Sequence, residues 1–271
     1  MDPADREWRL ITEESRSGPL NMALDEVAAE RAAEAGVRTL RVYRWDPSTL
    51  SLGYHQDPAT VDWEYCEREG ITVTRRQTGG GAIYHDEYGD ISYSVVAPAD
   101  ELPGDLMASY ELLCEPLLAA LDRMGVDAEF AAESAPAIHE PACYLRELHP
   151  AHDVVAGDGR KISGNAQYRQ RDAVVQHGSI TFARTTERHL DCFSDPATTP
   201  DEFDDRVASV RELTGIDRET AVETLEGALG AWADADSGSW TDRELARARG
   251  RAREKYRADR WVRHGEDPTD D

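Results

Sequence analysis

The sequence predicts an α+β protein in which a mixed β-sheet is flanked by helices. Two observations support this fold class. Strand-like segments occur in groups, and amphipathic helical segments interrupt these groups without the regular alternation of βαβ units. Apolar residues make up 40% of the 271 residues, so the chain is large enough to bury a real core in one large domain.

The first half of the chain is predicted to hold one helix and four strands. The helix covers 18–36, because its apolar residues share one face and Gly36 can end it. The turn residues Asp-Pro-Ser at 46–48 separate the first two strands, and the third strand leads directly into three glycines. The strands are predicted at 39–45, 49–54, 71–76 and 90–96.

The second half combines one group of strands with several helices. A long amphipathic helix covers 105–125, and Gly-Asp-Gly at 157–159 predicts a hairpin turn between two strands. The strands of this half are predicted at 152–156, 161–168 and 173–182. The remaining helices are predicted at about 201–213, 218–234 and 241–261.

The charge of the chain is strongly negative, with 54 acidic against 30 basic residues and a net charge of −24. Repulsion from phosphates argues against a general nucleic-acid or membrane binder. No apolar segment is long enough to span a bilayer, and the acidic N-terminus does not resemble a secretory signal, so we expect a cytoplasmic protein. The acidity also predicts adaptation to high salt, where self-repulsion is screened.

Lysine is rare, which makes each lysine informative. Only Lys161 and Lys255 occur, and every other cationic side chain is arginine. Because arginine serves wherever a general positive charge is needed, Lys161 is predicted to lie where a compact ammonium is required. Lys255 lies in a charged helical segment and is interpreted as incidental.

The first candidate site is the segment Arg-Arg-Gln-Thr-Gly-Gly-Gly at 75–81. Three glycines after a strand allow a sharp turn and a close approach of the backbone to a ligand. Their amides can bind phosphate oxygens, and the arginines can pair with a carboxylate or phosphate. The alternative is an ordinary glycine turn with solvated arginines, and the segment matches neither a P-loop nor a dinucleotide-binding motif.

Three further segments carry candidate residues. Lys161 begins a strand whose following residues are small and leave room for a ligand. His177 lies in an apolar strand, where a hydrogen-bonded core histidine is the alternative to a catalytic one. Cys143 lies in a segment without regular structure and is either a nucleophile or an inert thiol. A metal site of Cys143, His149 and His152 is disfavoured, because the spacing matches no standard zinc pattern.

Together these motifs resemble the lipoate–protein ligase family over nearly the whole chain. The resemblance rests on RRQTGGGAIYHD at 75–86, GRKISGNAQ at 159–167 and QHGS at 176–179, in the order that the family shows. It implies the catalytic-domain fold shared by biotin and lipoyl protein ligases. The GRGRxG-like loop of biotin ligases is absent, which favours lipoate or octanoate over biotin as the acyl group.

The resemblance implies a role for each matching residue. Lys161 would contact the acyl carbonyl and the phosphate, and Ser163, Gly164 and Ala166 would line the channel for the C8 chain. His177 would belong to the same site, with no metal bound by protein ligands. The segment that encloses an acyl-AMP would contribute Arg75, Gly79, Gly80, Gly81, Tyr84, His85 and Asp86.

Two reactions are compatible with the family. In the first, which the glycine segment favours, a ligase uses ATP and Mg²⁺ to form lipoyl-AMP, which a lipoyl-domain lysine then attacks. In the second, an octanoyltransferase moves octanoate from acyl carrier protein to that lysine through a thioester on Cys143, which resembles the cysteine of such enzymes. A binding module that holds a lipoyl domain or an acyl carrier without chemistry is the non-enzymatic alternative.

The resemblance also predicts the domain organisation and the partners. The catalytic domain is expected over 1–236, followed by a helical extension and acidic tail over 237–271, without a large accessory domain. The ligase reaction would then require a separate small accessory protein. The acceptors would be 2-oxoacid dehydrogenase subunits or the glycine-cleavage carrier, and no nucleic acid or membrane is expected as a partner.

Overall fold

The computed structural model describes residues 3–150, 152–170 and 172–269. Eleven strands and nine α-helices occur within these ranges. The strands are β1 (Trp8–Arg16), β2 (Arg38–Trp45), β3 (Thr49–Leu52), β4 (Thr72–Arg75), β5 (Ile83–His85), β6 (Asp90–Pro98), β7 (Ala128–Phe130), β8 (Asp153–Ala156), β9 (Lys161–Gln170), β10 (Ala173–Thr181) and β11 (Asp236–Ser237). The helices are α1 (Gly18–Ala35), α2 (Trp63–Arg68), α3 (Leu106–Arg123), α4 (Thr186–Asp191), α5 (Pro200–Arg206), α6 (Val210–Thr214), α7 (Arg218–Ala233), α8 (Asp242–Arg251) and α9 (Asp259–Val262).

The predicted mixed sheet flanked by helices is confirmed. Its eight strands follow the order β11-β1-β2-β6-β10-β9-β8-β7, with β1 parallel to both neighbours and the other pairs antiparallel. The helices α3 and α7 cover one face, and α1 covers the other together with the C-terminal segment 240–262. A smaller sheet, β4-β3-β5, packs beside the second face.

Most predicted elements are present, but two helices are interrupted. The helix predicted over 201–213 breaks at 207–209, because Ala208 donates its amide to the carbonyl of Lys161 at 2.9 Å. The helix predicted over 241–261 passes through a π-helical turn at Ala252–Tyr256 and ends before α9. The strand β1 was not predicted, since six of its nine residues are polar or charged.

Lys255 is not incidental, contrary to the sequence interpretation. Its side chain is buried, with the ammonium 2.5 Å from a carboxylate oxygen of Asp267, 3.4 Å from one of Glu26 and above the ring of Trp261. These contacts fasten the C-terminal segment to α1, so both lysines of the chain lie in buried ion pairs. The proposed division at residue 236 stays a prediction, although β11 pairs with β1 across that position.

Candidate active site

A cavity of about 290 Å³ lies on the α1 face of the large sheet, beside the glycine segment. Its floor is formed by residues of β9, β10 and β6 that project to this face. Gly164 and Ala166 alternate with Asn165 along β9, and they are cross-strand partners of Ser179 and His177 on β10. Small residues at these positions keep space open above the sheet.

Cys143 is held at the wall of this cavity by the residues that follow the glycines. Its amide donates to the carbonyl of Ala82 at 2.9 Å, and the amide of Ala82 donates to the carbonyl of Pro141 at 2.7 Å. A Cβ on Gly81 would lie 2.8 Å from the nitrogen of Cys143, so only glycine allows this approach. The third glycine therefore positions the cysteine.

Lys161 reaches the same point from β9. Its Nζ lies 2.9 Å from the carbonyl oxygen of Cys143 and 4.0 Å from the Cys143 Sγ, and its side chain is buried. A Cβ on Gly164 would lie 3.2 Å from the Sγ and 3.5 Å from the Cε of Lys161, so this glycine leaves room for both. The only half-buried cysteine among the described residues thus lies next to a buried ammonium.

A β-bulge aims Lys161 into the cavity. Val154 pairs with Ser163 and Val155 with Lys161, which leaves Ile162 as an extra residue in β9. Ile162 packs into the core under α3 and α7, whereas Lys161 lines the cavity on the opposite face. The interrupted helix at 207–209 supports this geometry, because Ala208 binds the backbone of Lys161.

Asp153 on β8 holds Lys161 in place. Its Oδ1 lies 2.7 Å from the Nζ, and both side chains are buried. Burial alone would raise the pKa of Asp153, but the charge of Lys161 and hydrogen bonds lower it to about 2. Since this pKa lies below its usual value, the pair contributes about 2 kcal/mol of stability that is complete above about pH 4 and is lost as the pH falls toward 2.

We expect Asp153→Asn to lower the free energy of unfolding by about 3–5 kcal/mol at neutral pH, because it leaves the Lys161 ammonium buried without a counter-charge. Urea-induced unfolding measures this effect. Asp158→Asn is the matched control, since it removes an exposed partner of Arg160 at the hairpin tip and should cost less than about 1 kcal/mol. Equal losses in the two variants would contradict the structural role of Asp153.

The two arginines of the glycine segment bind backbone carbonyls. The guanidinium of Arg75 donates to carbonyls of residues 53, 54, 56, 261 and 262. Arg76 donates to Ser51, to Thr78 and to the carbonyls of Gly79 and Gly81. Arg76 therefore shapes the glycine loop, whereas Arg75 joins the segment after β3 to the C-terminal segment.

Two histidines line the cavity within polar networks. The Nε2 of His177 lies 2.9 Å from the hydroxyl of Thr78, and its Nδ1 lies 3.4 Å from a carboxylate oxygen of Asp25. His85 stacks on Trp45 and forms a 3.0 Å contact with Asp90. Burial lowers the pKa of His85, although the Asp90 carboxylate acts in the opposite direction. These contacts fix both imidazoles and connect the glycine loop to the sheet.

Nine of the thirteen predicted site residues line the cavity: Gly79, Gly80, Gly81, His85, Cys143, Lys161, Gly164, Ala166 and His177. Four predicted residues do not line it. Arg75 is directed to backbone carbonyls, and Ser163 faces away from the cavity because of the bulge. Tyr84 on β5 and Asp86 directly after it flank His85 and so point to the other side, where the carboxylate of Asp86 accepts amides of the following turn.

Several lining residues were not predicted. Asn165 lies between the predicted Gly164 and Ala166, and Asp153 lies on the strand before Lys161, whereas Trp45 and Met22 come from distant elements. The sequence signal that could have identified Asp153 is a carboxylate on the strand that precedes the rare lysine across the predicted hairpin. Among the described residues no group of three or more His, Cys, Asp or Glu side chains could hold a metal ion, and no helix of that part of the chain is long and apolar enough to cross a membrane.

The family model of the lipoyl protein ligase A/B catalytic domain matches residues 17–230. The chain belongs to this family. The octanoyltransferase LipM of Kyrpidia tusciae is 34% identical over 272 residues, which cover 94% of this chain and 97% of that protein. The octanoyltransferase LipM of Brevibacillus brevis is 30% identical over 278 residues, covering 94% and 98%. The family was therefore correctly predicted from the sequence.

Solved structures of the family share the fold. A crystal structure of lipoate-protein ligase A bound with ATP superimposes with a TM-score of 0.79 at 25% identity, covering 95% of this chain and 99% of that one. A bi-partite lipoate protein ligase of Thermoplasma acidophilum gives a TM-score of 0.77 at 23% identity, covering 95% and 96%. The chain is thus an enzyme of the lipoate ligase and octanoyltransferase family with the ligase catalytic-domain fold.

Proposed function

We propose that this enzyme transfers an octanoyl group from acyl carrier protein to the target lysine of lipoyl-domain proteins, through a thioester on Cys143. The observation that carries this proposal is the pairing of the Cys143 Sγ with the Lys161 ammonium, 4.0 Å apart at the cavity wall. The octanoyltransferase relatives that cover 94% of the chain support it. This conclusion reverses the preference for the ligase reaction that the glycine segment suggested.

In the first step, the Cys143 thiolate attacks the carbonyl carbon of the carrier thioester. A bond forms between Sγ and that carbon, the bond to the carrier sulfur breaks, and the carrier leaves as a thiol with the proton that Cys143 gave up. The Lys161 ammonium stabilises the thiolate and the oxyanion that develops on the carbonyl oxygen. Its pairing with Asp153 keeps this charge fixed in the buried site.

In the second step, the neutral amine of the acceptor lysine attacks the octanoyl thioester. The new carbon–nitrogen bond replaces the carbon–sulfur bond, and Cys143 regains the proton that the amine nitrogen loses. The acceptor is thereby joined to octanoate by an amide. The same ammonium stabilises the second oxyanion, because the carbonyl remains beside Lys161 in both steps.

The rest of the cavity suits an apolar acyl chain. Met22, Tyr43, Trp45 and Ile83 contribute apolar surface, and the glycine and alanine positions on β9 leave the floor open. Such a lining binds a hydrocarbon chain through the hydrophobic effect and does not require a charged partner. An octanoyl group is therefore a better match than a short or charged acyl group.

A lipoate ligase that uses ATP and Mg²⁺ is the second candidate, supported by the similarity to a ligase structure bound with ATP. The phosphates of ATP would need hydrogen-bond donors at the glycine segment. Both arginines of that segment instead donate to the protein's own carbonyls, so they fit the role of phosphate ligands poorly. We therefore derive no step through ATP.

The acyl donor that the enzyme uses distinguishes the transferase reaction from the ligase reaction. The purified chain is incubated with a lipoyl domain and either octanoyl-acyl carrier protein or lipoate with ATP and Mg²⁺, and the mass of the domain is measured. We expect octanoylation from the carrier thioester without ATP. Modification only with lipoate and ATP would establish the ligase, and binding of the domain without modification would favour the non-catalytic module.

The partners, location and salt adaptation are part of the same proposal. Lipoyl domains of 2-oxoacid dehydrogenases or the glycine-cleavage carrier would be the acceptors, and the substrates would meet the enzyme in the cytoplasm. The transferase reaction needs no accessory protein, because no adenylation occurs. The net charge of −24 favours activity at high salt.

A further inference from the structure

The basic residues of the chain are concentrated in one segment. Residues 242–263 contain nine Lys and Arg against four Asp and Glu, a net charge of +5, whereas the rest of the chain contains 21 against 50, a net charge of −29. Such an asymmetry in a strongly acidic protein creates a local positive potential.

The five arginines between 247 and 257 form two groups with different surroundings. Arg247 and Arg251 turn toward α1, where they pair with Glu30 and Glu26. Arg249, Arg253 and Arg257 are exposed, and none of them forms an ion pair with a carboxylate of residues 3–150, 152–170 or 172–269. We call these three residues the C-terminal basic surface.

The arrangement of the C-terminal basic surface is unfavourable in the isolated protein. Its three arginines are spaced four residues apart, so like charges are neighbours along the helical segment. The chain contains 54 carboxylates, yet none of those described neutralises this row. An acidic partner would supply the missing counter-charges.

The Arg257 end of this surface lies near two elements that lead to the candidate active site. The buried side of the same segment places the hydroxyl of Tyr256 3.0 Å from Gln77, two residues before the glycine loop. Arg257 lies next to Ser17, which precedes α1, and α1 supplies Met22 to the cavity wall. A partner that binds at the Arg257 end would therefore lie near α1 and the segment that leads into the glycine loop.

We propose that the C-terminal basic surface docks an acidic carrier domain that delivers the octanoyl thioester, an inference that rests on the proposed transferase function. The acyl donor brings an uncharged thioester to the site, whereas the acceptor brings a lysine. The positive charge of the arginine row would repel that lysine, so the row suits the donor better. A nucleic acid or bilayer would extend beyond the surface and meet the −29 charge of the rest of the chain. A compact acidic domain can contact the basic row alone.

The test reverses the charge of the row in the variant Arg249→Glu/Arg253→Glu/Arg257→Glu. The matched control, Arg68→Glu/Arg123→Glu/Arg211→Glu, makes the same change in net charge at exposed arginines elsewhere. Initial rates are measured with octanoyl-acyl carrier protein and with a small octanoyl thioester, each over a series of salt concentrations. The small thioester reports the chemistry at Cys143 without docking.

We expect kcat/KM for the carrier to fall about tenfold or more in the basic-surface variant at the lowest salt concentration at which the unchanged protein is folded and active, and the difference to shrink as salt rises. The small thioester and the control variant should be unaffected. An unchanged carrier rate, or an equal loss in both variants, would overturn the proposal. A raised KM for the lipoyl domain alone would assign the surface to the acceptor and also overturn it.

Failure of the proposed function gives a different result. In that case the unchanged protein uses neither octanoyl donor. Docking is then measured directly as the equilibrium binding of apo-acyl carrier protein to the enzyme. Binding weakened by the basic-surface variant alone would support docking without the transferase chemistry. Binding that is absent in the unchanged protein, or equal in all three proteins, would exclude it.

Discussion

Replacing Cys143 with Ser should abolish octanoyl transfer from the carrier, with a loss of at least about 10³-fold in kcat/KM. The serine hydroxyl is a far weaker acid than a thiol, so the Lys161 ammonium at 4.0 Å cannot convert it into a comparable nucleophile. The variant should fold normally, because the substituted atom is half-buried at the cavity wall. Rates of octanoylation of a lipoyl domain measure the effect.

Cys114 provides the matched control for this substitution. It is buried under Tyr93 and Gln176, and burial raises the pKa of its thiol to about 12. Cys114→Ser should therefore retain transfer activity per folded molecule. Full octanoyl transfer by Cys143→Ser would exclude the thioester route, and unchanged lipoylation with ATP in that variant would favour the ligase.

Replacing Lys161 with Ala should lower kcat by about 10²–10³-fold, because it removes the charge that stabilises the thiolate and the oxyanion. The same change leaves Asp153 buried without its partner, so stability should fall by about 3–5 kcal/mol. Activity is therefore measured per folded molecule, at a temperature where circular dichroism shows the variant to be native.

The substitution Lys255→Ala separates the effect of Lys161 on catalysis from its effect on stability. Like Lys161, it is buried and paired with carboxylates, but it does not line the cavity. Lys255→Ala should lose similar stability and retain most of its kcat. Equal losses of kcat in both variants would show that Lys161 acts only as a structural residue.

The sequence was a good guide to elements whose determinants are local. The strand that leads into three glycines, the Gly-Asp-Gly hairpin and the small residues after Lys161 are all properties of short segments, and each appears in the structure. The rarity of lysine drew attention to Lys161, which the structure places at the cavity wall, while its role stays a prediction. The resemblance then assigned the correct family, because its motifs occur together and in order.

The direction of individual side chains could not be predicted in the same way. Ser163 and Lys161 share a strand, and only the bulge at Ile162 turns them to opposite faces. The guanidinium of Arg75 binds the carbonyl of Gly53, 22 positions away in sequence, and that of Trp261, 186 positions away. Such contacts depend on tertiary packing, for which a motif gives no signal.

The relation between Cys143 and Lys161 was also absent from the sequence analysis. The two residues are 18 positions apart, and the cysteine begins a short 3-10 turn, Cys143–Leu145, after an irregular segment. They meet because Gly81 allows the loop to approach and because Ala82 binds its backbone. The nucleophile of the proposed reaction was therefore predicted by residue type, but its contact with Lys161 was not.

The proposed thioester on Cys143 is tested most directly by the mass of the intact enzyme after incubation with octanoyl-acyl carrier protein in the absence of an acceptor. We expect a covalent adduct of one octanoyl group that peptide mapping locates on Cys143, that hydroxylamine removes, and that a lipoyl domain discharges. The Cys143→Ser variant should remain unmodified. Octanoylation of the lipoyl domain without any adduct on Cys143 would contradict transfer through a thioester on this residue.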